Sequence, residues 1–230
     1  MIINHPLVKG VVKEIKPFIY CVTVDDDYDR SMLFCRYQEF YESPHKKFKG
    51  KYFTWMEYMR FYKDKWKKDT FTYPIDWVGY NIPCNIVQQG HHVFCGETEY
   101  DDIMNDIYFY CSTDSKNKNN GKHRDWYLIG ASGKDIRTMD HEIAHGLYFT
   151  NKEYKKSVTK LIKGIKPDHY DKLTKKLIKM GYSKDKKIID DEIQAFMSTG
   201  LYNKMDTKEL KKYENSFISN FKKYKSEKKF

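Results

Sequence analysis

The chain has 230 residues, of which 40% are apolar, 17% aromatic and 32% charged, with a formal charge of +10. The aromatic content excludes a disordered chain, and the overall mix excludes a collagen-like or Gly/Ser-rich polymer. No apolar run approaches the roughly 18 residues of a membrane helix, so no membrane partner is expected.

Lysines every few residues break the N-terminal stretch MIINHPLVKGVVKEIKPFIYCV. It lacks the uninterrupted core of a signal peptide, so a cytoplasmic protein is expected. Residues 1–50 read as short strands and turns, with Val11–Val12, Phe18–Val24 and Met32–Tyr37 β-branched or aromatic and broken by Asp and Pro. The acidic run Asp25–Asp29 fails as an EF-hand loop, because Arg30 and Arg36 stand where Gly and Glu are needed. Thr54 and Glu57 have capping-box spacing, which predicts a helix to about Trp66. Two prolines and a glycine in Phe71–Pro83 argue for a packed, irregular loop. A helix over Tyr100–Tyr110 and a polar exposed loop over Ser112–Asp125 follow.

Trp126–Ile129 reads as a short strand ending at Gly130, and Asp135 as the N-cap of a helix over about 136–149. The remainder reads as wholly helical, over about 152–163, 168–180, 186–200 and 207–225. Gly164, Pro167 and Gly181 are the stops, and Asp206 with Glu209 opens the last helix. The fold class is therefore α+β, with a small mixed N-terminal sheet and a helical C-terminal third.

The five cysteines form no CxxC pair and are odd in number, which favours free buried thiols in a reducing compartment. Charge is uneven: residues 151–230 carry 22 lysines, no arginine and 11 acids, whereas the first 150 residues sum to −1. Lysine outnumbers arginine 37 to 5, a bias that AT-rich codon usage produces. The lysine-rich C-terminal helices read first as solvated amphipathic faces, and second as a surface for nucleic acid or another acidic partner. Adjacent His91 and His92 point apart on a regular element, and Gly121–Lys122 lacks the rest of a phosphate loop.

The sharp signal is His141-Glu142-Ile143-Ala144-His145. Residues i and i+4 of a helix project together, so both imidazoles can bind one Zn²⁺, while Glu142 is set to take a proton from water. Ile136, Met139, Ile143 and Leu147 form an apolar stripe, with the histidines on the other side. A catalytic zinc needs a third protein ligand. The metzincin pattern fails at Tyr148 and Asn151, and His169 has no pattern around it. In the predicted helix 186–200, Glu192 sits among Ile188, Ile189, Ala195 and Phe196 on one face. A buried, unpaired carboxylate is costly, so Glu192 calls for a cation: zinc, or a lysine reaching over the stripe. Asp191 reads as a solvated helix acid that could instead orient a ligand imidazole.

HEIAH followed by Glu192-Ile193-Gln194-Ala195 on a later helix resembles the zincin metallopeptidases, and among them the gluzincins. The resemblance spans about residues 126–200 and implies His141, His145 and Glu192 as zinc ligands and Glu142 as general base and acid. It further implies peptide hydrolysis through a zinc-activated water, with a peptide or protein as substrate and Trp126–Ile129 as the edge strand that pairs with it. An oxyanion-steadying Tyr or His is usual in that group, and Tyr202 and His169 are candidates. The chain thus divides into an aromatic-rich α+β part over 1–125 and a zinc-binding helical part over 126–230, within one continuous domain. More loosely, it resembles small proteins of large DNA viruses and phages. Two alternatives stay open: an inactive zincin-fold structural or virion-associated protein, and a basic nucleic-acid-binding protein.

Overall fold

The computed structural model describes residues 1–132, 134–200 and 210–227. Three strands come first: β1 (Ile2–Asn4), β2 (Lys9–Lys16) and β3 (Ile19–Val24). Then follow α1 (Asp27–Glu42), α2 (Trp55–Trp66), α3 (Tyr73–Asp76), β4 (Gly79–Pro83), α4 (Cys84–Phe94), α5 (Glu99–Lys118) and β5 (Tyr127–Ala131). The rest of the described chain is helical: α6 (Ile136–Thr150), α7 (Lys152–Lys163), α8 (Pro167–Met180), α9 (Lys186–Thr199) and α10 (Lys211–Ser226). The fold is α+β.

The sheet order is β1-β2-β3-β5-β4, with β3 and β5 parallel and the other pairs antiparallel. Alternation along the strands separates two cores. Tyr20, Val22 and Leu128 face Leu33 and Phe34 of α1 and the aromatics of α2, α4 and α5. Ile19, Cys21, Tyr127 and Ile129 face Ile143, Ala144 and Leu147 of α6. A third cluster joins α8, α9 and α10 through Leu173, Leu177, Ile189, Ile193 and Phe217. Gly146, just past the motif, lets α6 lie close to the sheet, since a Cβ there would meet Ile19 Cδ1 at 2.8 Å.

Several sequence expectations need correction. Met32–Tyr37 lies within helix α1, whose residues Arg30–Gln38 are all buried. A helix covered on every side shows no amphipathic period, and its apolar run then looks like a strand. Asp26 of the acidic run is its N-cap, accepting from the amides of Tyr28 and Asp29. Phe71–Pro83 is not irregular: Pro74 occupies the first turn of α3, where its missing N–H costs nothing, and Gly79–Pro83 is a strand. Helix α5 runs on to Lys118, so the polar loop is shorter than expected. Trp126–Ile129 is not an edge: β5 lies between β3 and β4, fully buried, and β4 is the edge strand on that side, with β1 at the opposite edge.

Other expectations hold. The Thr54–Glu57 capping box opens α2, and Asp135 caps α6 through the amides of Arg137 and Thr138. Helices α7, α8 and α9 lie within a residue of their expected bounds. The Asp206–Glu209 opening of the last helix falls outside the described residues. All five cysteines are free, four of them buried and Cys95 exposed. Among the described residues no helix is long and apolar enough to cross a membrane.

Candidate metal centre

Helix α6 presents His141 and His145 one turn apart toward α9, which packs along it. The two Nε2 atoms face each other at 3.2 Å. Glu192 of α9 completes a triangle, with Oε2 at 3.7 Å from His141 Nε2 and Oε1 at 3.6 Å from His145 Nε2. A tetrahedral site with bonds of about 2.0–2.1 Å has edges of about 3.4 Å, so the three sides fit one small cation. The donor set, two imidazoles and a carboxylate, is one that suits zinc.

Two observations test that fit further. Glu192 is 2% exposed, and its Oε2 has no hydrogen-bond partner. Among the described residues its ion-pair partners are the two histidines, and no lysine reaches over the stripe. A buried carboxylate left half-satisfied against two imidazole nitrogens is an arrangement that a shared cation would complete.

The surroundings fix these side chains. Asp191 Oδ1 lies 2.8 Å from His145 Nδ1 and also accepts from Gln194 Nε2 at 2.9 Å. It is therefore a packed partner of the His145 imidazole rather than a solvated helix acid, and turns Nε2 toward Glu192. Burial opposes charge on His145, yet Asp191 and Glu192 outweigh it and hold the imidazole up to about 10 in the metal-free protein. The α6 stripe is narrower than expected: Ile143 and Leu147 are buried and Met139 partly so, but Ile136 is exposed.

Glu142 turns toward the edge strand. Asn81 Nδ2 of β4 donates to Glu142 Oε2 at 3.0 Å, and Tyr127 of β5 donates to Asn81 Oδ1 at 2.7 Å. Gly79 stands against the same carboxylate, since a Cβ there would meet Glu142 Oε1 at 2.2 Å. Burial pushes the Glu142 carboxyl above the ordinary carboxylate range, against His141, His145 and Asn81, which favour the anion. A carboxylate raised in this way is better matched to proton transfer near neutral pH.

Asn81, Tyr127, Glu42 and Tyr182 also border the centre and were not singled out in the sequence. Glu42, at the end of α1, has its carboxyl raised well above the usual range by burial and then by the Glu192 charge. Tyr182, after α8, packs against Trp77 and Phe196, and burial followed by the Glu192 charge raises its phenol. His169 faces α10, its Nδ1 3.2 Å from the Tyr213 hydroxyl, and is no part of the centre. Tyr202 lies outside the described residues. The only available signal for Tyr182 was its place ten residues before Glu192, which 20 tyrosines in the chain make uninformative.

A cleft of about 450 Å³ opens beside His141 and Glu142, walled by Trp66, Trp77, Val78, Met180 and Phe196. No family model, curated protein or solved structure matches the chain.

Proposed function

We propose that the protein is a zinc-dependent metallopeptidase of gluzincin type. His141, His145 and Glu192 would hold the metal, and Glu142 would act as general base and acid. The observation that carries this reading is the convergence of three buried ligand atoms within 4.8 Å of one another, next to a separately held carboxylate. Zinc bound there would polarise a scissile carbonyl and lower the pKa of water toward about 7.

The chain's own residues supply the remaining steps. Glu142, kept in place by Asn81, takes a proton from the attacking water and passes it to the leaving amine. Asp191 holds His145 in the orientation and tautomer that presents Nε2. The cleft walled by Trp77 and Phe196 excludes water and suits a large apolar side chain beside the scissile bond. Peptide pairing belongs to β4, not to Trp126–Ile129. The Asn81 amide is already bonded to Gln38 Oε1 at 3.2 Å, so pairing is confined to the Gly79 end of the strand.

The test is zinc-loaded protein incubated with a proteome-derived peptide library, beside Glu142→Gln. Wild type should cleave a subset of peptides. The variant should keep its zinc while turnover falls by at least about 10²-fold, the low end for lost acid–base catalysis. An intact library after incubation with fully zinc-loaded wild type would overturn the peptidase reading.

A further inference from the structure

After α1 the chain runs Ser43-Pro44-His45-Lys46-Lys47-Phe48-Lys49-Gly50-Lys51. Phe48 is fully buried, edge-on to Phe53, Tyr58 and Phe61, and anchors this segment to the core. The flanking lysines are thereby held on the surface at fixed places. Lys46, Lys49 and Lys51 meet Lys65 from the last turn of α2 and Lys184 from the α8–α9 turn along one groove of about 810 Å³. The groove is lined by five lysines and no acid. Asp185 beside it pairs with Lys49 at 3.4 Å, and the other lining lysines, Lys46, Lys51, Lys65 and Lys184, carry an excess of positive charge over the acid-free lining. His45 in the same groove is held below its ordinary value by burial and by the Lys65 charge.

This groove is continuous with the metal centre. Trp66 and Tyr182 line both the groove and the catalytic cleft. Ser43, Pro44 and Gly181 line both the groove and the inner recess bordered by His141, Glu142 and Glu192. An occupant spanning both regions needs anionic groups at one end and an apolar side chain at the other. An acidic peptide supplies both, with carboxylates for the lysines and an apolar side chain for the wall of Trp66, Trp77 and Phe196.

We infer that the lysine groove binds an acidic segment of the substrate, continuous in sequence with the bond that is cut. This rests on the peptidase reading and narrows its substrate class to peptides with Asp or Glu clustered on one side of the scissile bond. Clustered exposed lysines contribute mainly through long-range attraction, so the preference should weaken with salt.

The experiment compares peptides cleaved by the zinc-loaded full chain, resynthesised with three flanking Glu or three flanking Gln on either side. At low salt the Glu form on one side should have a kcat/KM about tenfold higher, the scale of three exposed ion pairs, and the gap should close near 0.5 M salt. The triple variant Lys46→Glu, Lys51→Glu, Lys65→Glu should abolish the preference. The exposed α7 lysines Lys156, Lys160 and Lys163, reversed together, change net charge equally and should leave it intact. Equal cleavage of Glu and Gln peptides overturns the inference and leaves the peptidase reading standing. If no peptide is cleaved, fluorescence anisotropy with the labelled Glu peptide still decides. Binding lost only in the groove triple supports the acidic-segment site while the peptidase reading falls, and absence of binding overturns both. Tighter binding of a single-stranded oligonucleotide of equal charge through the same lysines also overturns the inference, in favour of nucleic acid.

Discussion

Replacing Glu192 by leucine separates a metal ligand from an ordinary buried acid. In the metal-free protein this side chain is 2% exposed, with one oxygen unpartnered. Leucine is of similar volume but removes one partner of the buried pair with the protonated His145, a loss of up to about 3–5 kcal/mol that Asp191, 2.8 Å from the same imidazole, reduces. Chelated Glu192→Leu should thus melt at or below chelated wild type, and the rise on adding zinc is the deciding quantity. Zinc sets the two further apart. At a free concentration about 1,000-fold above its dissociation constant, a bound metal adds about 4 kcal/mol to the native state. For a chain of this size each kcal/mol moves the melting temperature by about 2–4 °C, so wild type should gain about 8–16 °C on adding zinc. The leucine variant keeps two of three ligands and should gain less than about 2 °C. Glu192→Gln, a neutral and weaker donor, should fall between them. Calorimetric melting with and without zinc, beside metal analysis of the dialysed protein, reads all three. Full zinc occupancy and an undiminished rise in Glu192→Leu would refute the assignment of Glu192 as a ligand.

Two further outcomes follow from the geometry. His145 in the metal-free protein stays protonated to about 10, against an ordinary value of 6.5. A base raised on folding contributes stability that is full below the unfolded value and lost as pH climbs through the folded one. Chelated wild type should therefore lose stability between about pH 6.5 and 10, and Asp191→Asn should flatten that fall; urea unfolding at pH 6, 8 and 10 checks it, and a flat wild-type profile would contradict it. Gly79→Ala sets a Cβ 2.2 Å from Glu142 Oε1, at the movable end of that side chain. Glu142 should yield rather than the strand, so turnover should drop at least about tenfold while zinc content and melting temperature change little, and unchanged kcat would show that Glu142 does not need its observed position.

Local pattern was enough for elements that bury one face. In α9, Ile188, Ile189, Ala195 and Phe196 form the stripe that leaves Glu192 conspicuous within it, although Glu192–Ser198 are all buried and the far face is covered as well. In α7, Tyr154, Val158 and Ile162 recur every four residues and leave the lysines outside. The i,i+4 histidines were legible for the same reason, because one helix holds both. Elements buried on all sides gave no such period. Helix α1 reads as a strand, and β5, continuously apolar, gives no hint that β3 pairs along one side of it and β4 along the other. The partners that complete the centre are far apart in sequence. Gln38 and Glu42 lie on α1, Asn81 on β4, Tyr127 on β5, Glu142 on α6, Tyr182 before α9 and Asp191 on α9. The HEIAH helix and the place of Glu192 on an apolar face were determined by sequence through local periodicity. The edge strand against Glu142 and the lysine groove leading from it were decided by tertiary packing, because their contacts join segments that no local period relates.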